Sequence, residues 1–426
     1  MQGRYLILLL VLAVMCGCAR TAQVNGVQRE LLKPARDADA RGQQELAFEL
    51  YRDLAEDGIA VAQYQVARRY ETGEGTQVNY AEAARWYSSA AEMGFDRSYV
   101  RLAKLYEFGS GVPQDLDQAF VYYNKAAEAG DGSVHYKLGT MLERGRGTNV
   151  DVAAAAGHYE IAANDGDYLA QLELARFYEQ GLGVAQDQAA AEHWYAEGAK
   201  GARKAAGRGD VRAQEILAGL YLEGKGVAVD REQAVTWFNT AAQKGHLSSQ
   251  IKLARVFDSN DGAPRNAPLA ARYYQMAADQ GHGGAQYALG RMYATGDGVP
   301  RDETAAKDLL LKAAAQGETR GYVVLGDMYA AGRGIPENDS EALKWYMEAA
   351  RHGDPNALYR IGGMYEGGRG VTQDPVQALM WYMLAEQEGY QASQEPVQRL
   401  SAGMDADEVR RAGQLAQAWR RGNLSS

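Results

Sequence analysis

Apolar residues and glycines alternate along this chain in a fixed rhythm. Glycine pairs separated by one residue stand at Gly73/Gly75, Gly109/Gly111, Gly145/Gly147, Gly181/Gly183, Gly224/Gly226, Gly296/Gly298, Gly332/Gly334 and Gly368/Gly370. The step is 36 residues, except for 43 between the fourth and fifth pairs and 72 between the fifth and sixth, which spans a worn copy at Asn260/Gly262. A second series, Gly58, Gly94, Gly130, Gly166, Gly209, Gly245, Gly281, Gly317, Gly353 and Gly389, keeps the same phase. Between the two series the apolar positions have the three-and-four spacing of amphipathic helices. Each unit therefore reads as a first helix, a glycine loop, a second helix and a glycine turn, with glycine supplying the positive φ that helix ends require.

The positions inside a unit have distinct tasks. Four residues past the second loop glycine stands Asn79, Asp115, Asp151, Asp187, Asp230, Asn266, Asp302, Asn338 or Asp374. An acceptor side chain there predicts an N-cap for the second helix; the rival reading, a row of metal carboxylates, has no second ligand at fixed spacing. Alanine recurs at Ala83, Ala119, Ala155, Ala191, Ala234, Ala270, Ala306, Ala342 and Ala378, where a small side chain lets the two helices approach. Three residues later come aromatic pairs such as Trp86-Tyr87, Trp194-Tyr195, Trp345-Tyr346 and Trp381-Tyr382. The first helix carries Tyr70, Tyr106, Tyr178, Tyr221, Phe257, Tyr293, Tyr329 and Tyr365. Their phase with the alanines points to core more than to a base- or sugar-stacking platform, and the hydroxyls are expected to reach the helix ends.

These words, among them Gly290-Arg291-Met292-Tyr293, Gly296-Asp297-Gly298-Val299 with Asp302, and Trp345-Tyr346 with Ala349-Ala350, resemble the Sel1-like repeat family, relatives of the tetratricopeptide repeat. The resemblance covers residues 59–389. It implies an all-α, right-handed superhelical solenoid of antiparallel helix hairpins with a long concave surface. Nine repeats are expected at 59–94, 95–130, 131–166, 167–209, 210–245, 246–281, 282–317, 318–353 and 354–389. One helix is expected over 31–58, and a C-terminal capping region over 390–426, where Asp405 and Glu408 form a capping box.

The N-terminus has a different pattern. Arg4 precedes the apolar stretch Tyr5–Met15, and Met15-Cys16-Gly17-Cys18 follows. This resembles a bacterial lipoprotein signal, with residues 1–17 removed, 18–30 a linker, and Cys18 the lipidated residue; Met15 and Cys16 depart from the usual residues of that site. Alanine at position 19 then implies the periplasmic face of the outer membrane. The alternative is an ordinary secretory signal cut after Ala19 or Ala22, giving a periplasmic or secreted protein. No cysteine lies beyond Cys18, so the folded body holds neither disulfide nor thiol nucleophile. With 55 acidic against 45 basic side chains the formal charge is −10, which argues against a nucleic-acid partner.

Departures from the repeat are where a partner site would sit. Seven extra residues near 198–207 equal almost two helical turns, so they either lengthen the second helix or form a bulge. Gly198, Lys200, Arg203 and Lys204 there, with Asp258, Asn260, Asp261 and Arg265 of the worn loop, are the candidate partner-binding residues. Sequence drift is the competing account, as it is for His158 and for Leu309-Leu310 at aromatic positions. The loop centres Glu74, Ser110, Arg146, Leu182, Lys225, Asp297, Arg333 and Arg369 read as solvent-facing. Arg333 and Arg369, followed by Arg410, Arg411, Arg420 and Arg421, make the C-terminal end more basic, either a solvated face or a surface for an acidic partner.

Chemistry is hard to find. The glycine pairs lack a phosphate-loop lysine, the six histidines show no zinc-site spacing, and no Gly-x-Ser-x-Gly elbow occurs. No cofactor, metal or catalytic residue is expected. The leading expectation is a non-enzymatic scaffold for envelope proteins. The opening Ala38-Asp39-Ala40-Arg41-Gly42, running into Ala47-Phe48-Glu49-Leu50-Tyr51 and Gly58, resembles the alginate-export lipoproteins, which implies an exopolysaccharide export complex and an outer-membrane polysaccharide porin as partner. The alternatives are a secreted or surface-displayed module that binds host proteins, and an enzyme acting on cell-wall material.

Overall fold

A computed structural model describes residues 28–259 and 265–423. Among the described residues every regular element is helical, and consecutive helices pack as hairpins, so the chain is an all-α solenoid. The first repeat shows why. Its first helix, Ala60–Thr72, ends where Gly73 turns left-handed and donates its N–H to the Arg69 carbonyl. Its second helix, Tyr80–Glu92, starts where the Asn79 side chain accepts from the Glu82 N–H at 3.1 Å. Thirteen residues per helix give rods of ~20 Å, and all nine Asx positions cap their helices in the same way. The nine alanines are fully buried.

Neighbouring repeats are joined by polar contacts as well as by packing. Gln63 donates to the Ala55 carbonyl at the end of the preceding helix, and Gln171, Gln214, Gln250 and Gln286 repeat that bond. The second glycine of a loop lies on the N-terminus of the preceding repeat's second helix. At Gly147 an added Cβ would stand 2.0 Å from the Leu116 carbonyl oxygen.

The chain divides into two compact units, Met1–Ala202 with Lys225–Val227, and Arg203–Gly224 with Ala228–Ser426. The first opens differently from the single helix expected over 31–58. It has two helices, Lys33–Ala40 and Gln44–Glu56, because Gly42 takes φ 73° between them. The second closes with the helices Gln394–Gly403 and Ala406–Asn423. The capping box is reciprocal: Asp405 accepts from the Glu408 N–H at 2.8 Å, and Glu408 accepts from the Asp405 N–H at 3.1 Å. Trp419 of the last helix meets Trp381 edge-on at 4.7 Å, covering an apolar end that has no tenth repeat to bury it.

Candidate functional site

The tyrosine hydroxyls end on carboxylates in the last turns of the first helices. Tyr87 donates to Glu71 at 2.6 Å, Tyr123 to Glu107 at 2.9 Å, Tyr159 to Glu143 at 2.7 Å, Tyr195 to Glu179 at 2.8 Å and Tyr382 to Glu366 at 3.0 Å. The same carboxylates also receive a cation from the following segment: Arg101, Lys137, Arg176, Lys225 and Arg399 in turn. Each carboxylate, buried at Glu107 and half-buried at the others, thus joins a hydroxyl of its own repeat to a charge on the next. Burial first, then the carboxylate, pushes the Tyr87, Tyr159 and Tyr382 phenols well above the usual range, so they remain donors.

The ladder explains one departure from the repeat. Where the first helix offers Leu222 or Ala294 at the carboxylate position, the second helix offers Phe238 or Leu310, neither of which has a hydroxyl to satisfy. Leu309-Leu310 is therefore a compensated apolar copy. This carboxylate series was legible as an acidic residue 16 before Tyr87, Tyr123, Tyr159, Tyr195 and Tyr382, but sequence reasoning passed over it.

The ladder also titrates. The Arg399 guanidinium, 2.7 Å away, holds Glu366 below its ordinary pKa, with help from the Tyr382 hydroxyl and against the opposing effect of burial. A lowered folded pKa stabilises above the unfolded value of about 4.3 and loses that contribution as pH falls through the folded value. Wild type and Glu366→Gln should differ most in urea unfolding at pH 7 and converge below about pH 4. A gap independent of pH would assign the titration elsewhere.

Between the eighth and ninth repeats lies an open cavity of about 440 Å³. Its lining includes Asp327, Arg333, Tyr346, Tyr359, Arg360, Met364, Arg369 and Tyr382. Asp327 accepts from the Tyr346 hydroxyl at 2.7 Å and pairs with Arg360 at 3.2 Å. Arg369 forks onto Asp339 at 2.7 and 3.1 Å and donates to the Ala330 carbonyl at 2.9 Å.

Nine segments of the chain match the model of the Sel1 repeat: 60–95, 97–131, 133–167, 169–202, 211–246, 247–282, 284–318, 320–354 and 355–390. The chain belongs to the Sel1 repeat family. Among solved structures it is similar to a Sel1 repeat protein from Oxalobacter formigenes, at 29% identity over 78% of this chain and 94% of that one, with a TM-score of 0.53. It is also similar to a protective antigen of uropathogenic Escherichia coli strains displaying an SLR fold, at 27% identity over 87% of this chain and 94% of that one, with a TM-score of 0.42. No curated protein matches the chain. Sel1 repeat proteins generally mediate protein–protein interaction.

Set on the Sel1 frame, the seven extra residues are helical. The second helix of the fourth repeat runs Gln188–Gly207, 20 residues in place of 13. Gly198 and Gly201 do not break it; an added Cβ would meet Leu172 at 2.6 Å and Tyr168 at 2.5 Å, so both glycines admit the first helix of their own repeat. Within the same unit, Gly226 abuts Tyr195, two turns further along its helix than its counterparts reach. Lys200 is exposed and pairs with Glu197 at 2.6 Å, Arg203 donates to the Tyr221 hydroxyl, and Lys204 is exposed.

Other expected site residues fare differently. Asp258 and Arg265 come together at 3.6 Å; Arg265 also holds Asp297, and Asp258 also accepts from Tyr274. Cys18, Asn260 and Asp261 lie outside the described residues. Several loop centres carry a partner as well as facing solvent: Glu74 pairs with Arg68 and exposed Arg369 with Asp339 of the preceding repeat, while Lys225 and Asp297 are half-buried against the preceding repeat. The aromatics of the first helices are half-buried, and Tyr70, Tyr106, Tyr178, Phe257, Tyr293, Tyr329 and Tyr365 pack against the edge of the core. His158 has a specific neighbour that its sequence position did not disclose, His135, at 2.8 Å between Nδ1 atoms. Burial, then His135, lowers its pKa.

Proposed function

We propose that this Sel1 repeat protein is a non-enzymatic scaffold of the bacterial cell envelope. Acyl chains on Cys18 hold it at the periplasmic face of the outer membrane, where it recruits or positions other envelope proteins, in the first place those of an exopolysaccharide export complex and its porin. The observation that carries the protein-binding part is how the phased polar groups are used. The Asx oxygens close on backbone N–H groups and the tyrosine hydroxyls on carboxylates, which leaves the variable exposed side chains to make contacts. The lengthened helix Gln188–Gly207 supports the same reading, since it keeps its buried face and adds exposed Lys200, Arg203 and Lys204.

Two measurements test this. Cys18→Ala should move the protein from the outer-membrane fraction to the soluble periplasm; retention in the membrane would end the lipid-anchor reading, and recovery of wild type from the medium would favour the secreted module instead. In-cell crosslinking should capture envelope proteins with the intact chain and lose at least one of them on deletion of residues 198–204. That deletion returns the helix to 13 residues, so an unchanged set of partners would remove this surface from the proposal.

A further inference from the structure

We propose that the cavity between the eighth and ninth repeats is a receptor for one carboxylate of a peptide, held by the guanidinium of Arg333; this rests on the protein-binding reading above. Charge accounting leads to it. Of the cavity's three arginines, Arg360 is neutralised by Asp327 and Arg369 by Asp339. Arg333 has no ion pair among the described residues, and its Nε is buried without a hydrogen-bond partner. The Nε is sealed by protein, so the unmatched charge meets a ligand through the terminal Nη groups at the cavity wall, where a carboxylate can bond to it end-on.

The reason Arg333 is free can be read from its neighbour one repeat on. Arg369 sits at the same loop position and reaches back to Asp339, the first residue after the N-cap Asn338. The equivalent residue for Arg333 is Glu303, the first after Asp302. Glu303 is already engaged by Arg301, so the loop arginine of the eighth repeat has lost its structural partner.

The chemistry of the ligand follows. With the other two cations matched, the cavity offers one open charge, in a planar fork suited to two parallel bonds from a carboxylate. A phosphate of about −1.5 to −2 would overfill that charge and face Asp327. Tyr346, Tyr359, Tyr382 and Met364 supply an aromatic and thioether wall for the rest of a side chain or a chain end. A volume of about 440 Å³ exceeds what a carboxylate alone needs. The group is thus either an Asp or Glu side chain or a free C-terminus, both delivered by a peptide.

The experiment uses the full chain and two randomised heptapeptide libraries, one with free C-termini and one fused at both ends. Selection should enrich an acidic residue at one position in the fused library if a side chain is the source, or give binders only in the free library if the terminus is. Arg333→Gln should weaken the selected peptides about tenfold or more, Arg333→Lys less, and Gly363→Leu, which fills the cavity from the helix Pro355–Gly367, should block them. Arg411→Gln, an exposed charge elsewhere, should change nothing. Selected peptides without a common carboxylate, no enrichment, or equal binding by Arg333→Gln would overturn the proposal. Envelope partners crosslinked equally by wild type and Arg333→Gln would sink this site and leave the scaffold reading standing; no partners with wild type would sink the scaffold reading itself.

Discussion

Gly147→Val should be among the most damaging single changes available, lowering stability by roughly 4 kcal/mol. Two effects combine. Gly147 has φ 73°, where a β-branched residue is strained, and its Cβ position lies 2.0 Å from the Leu116 oxygen and 2.3 Å from the Leu116 carbonyl carbon. The second helix of the preceding repeat cannot yield there without losing the Asp115 cap. Gly94→Ala is the control: φ is 78° but nothing stands within 4 Å of the added carbon, so only the conformational cost of about 1–2 kcal/mol applies. Urea unfolding followed by far-UV circular dichroism compares them. Equal losses would mean that backbone conformation alone, and not the close approach, selects glycine in the loop.

Asp39→Ala should cost about 3 kcal/mol, out of proportion to its exposure. Its partner Arg69 is only 1% exposed, lies over the Tyr51 ring at 4.5 Å, and has an Nε without a hydrogen-bond acceptor. Besides Asp39, the guanidinium's polar contact among the described residues is a long one to Gln65 at 3.5 Å. Removing the carboxylate leaves a buried charge uncompensated, whereas removing both charges does not. Asp39→Ala combined with Arg69→Met should therefore recover most of the loss. A double-mutant cycle in urea measures the coupling; additive losses would show that the pair is not what makes Asp39 matter.

Local rules made most of the fold legible. The caps at Asn79 through Asp374 and the glycine turns are decided within four residues, and the structure places them where spacing predicts. Bonds spanning a hairpin were harder. The Glu71–Tyr87–Arg101 link joins residues 16 and 30 apart, and a pattern read helix by helix does not connect them. Gly198 and Gly201 look like helix breakers until Leu172 and Tyr168 are seen against them. Arg333 and Arg369 are alike in the sequence, and only the engagement of Glu303 by Arg301 separates the free one from the paired one. The candidate site was legible as a cluster of late arginines, but not as an account of which charge remains open.

The lengthened helix also implies that this array keeps a frame, much as a coding sequence does. Seven residues carry an α-helix through ~700°, about 20° short of two full turns. Ala202 and Ala206 accordingly fall on the same buried stripe as Tyr195 and Ala199. An insertion of five or nine residues at the same place would turn those alanines outward and drive Lys200 and Arg203 against the core. A copy can therefore grow by seven residues, or by eleven, which overshoots three turns by the same ~20°, and an engineer who wishes to widen another repeat has those increments to work with.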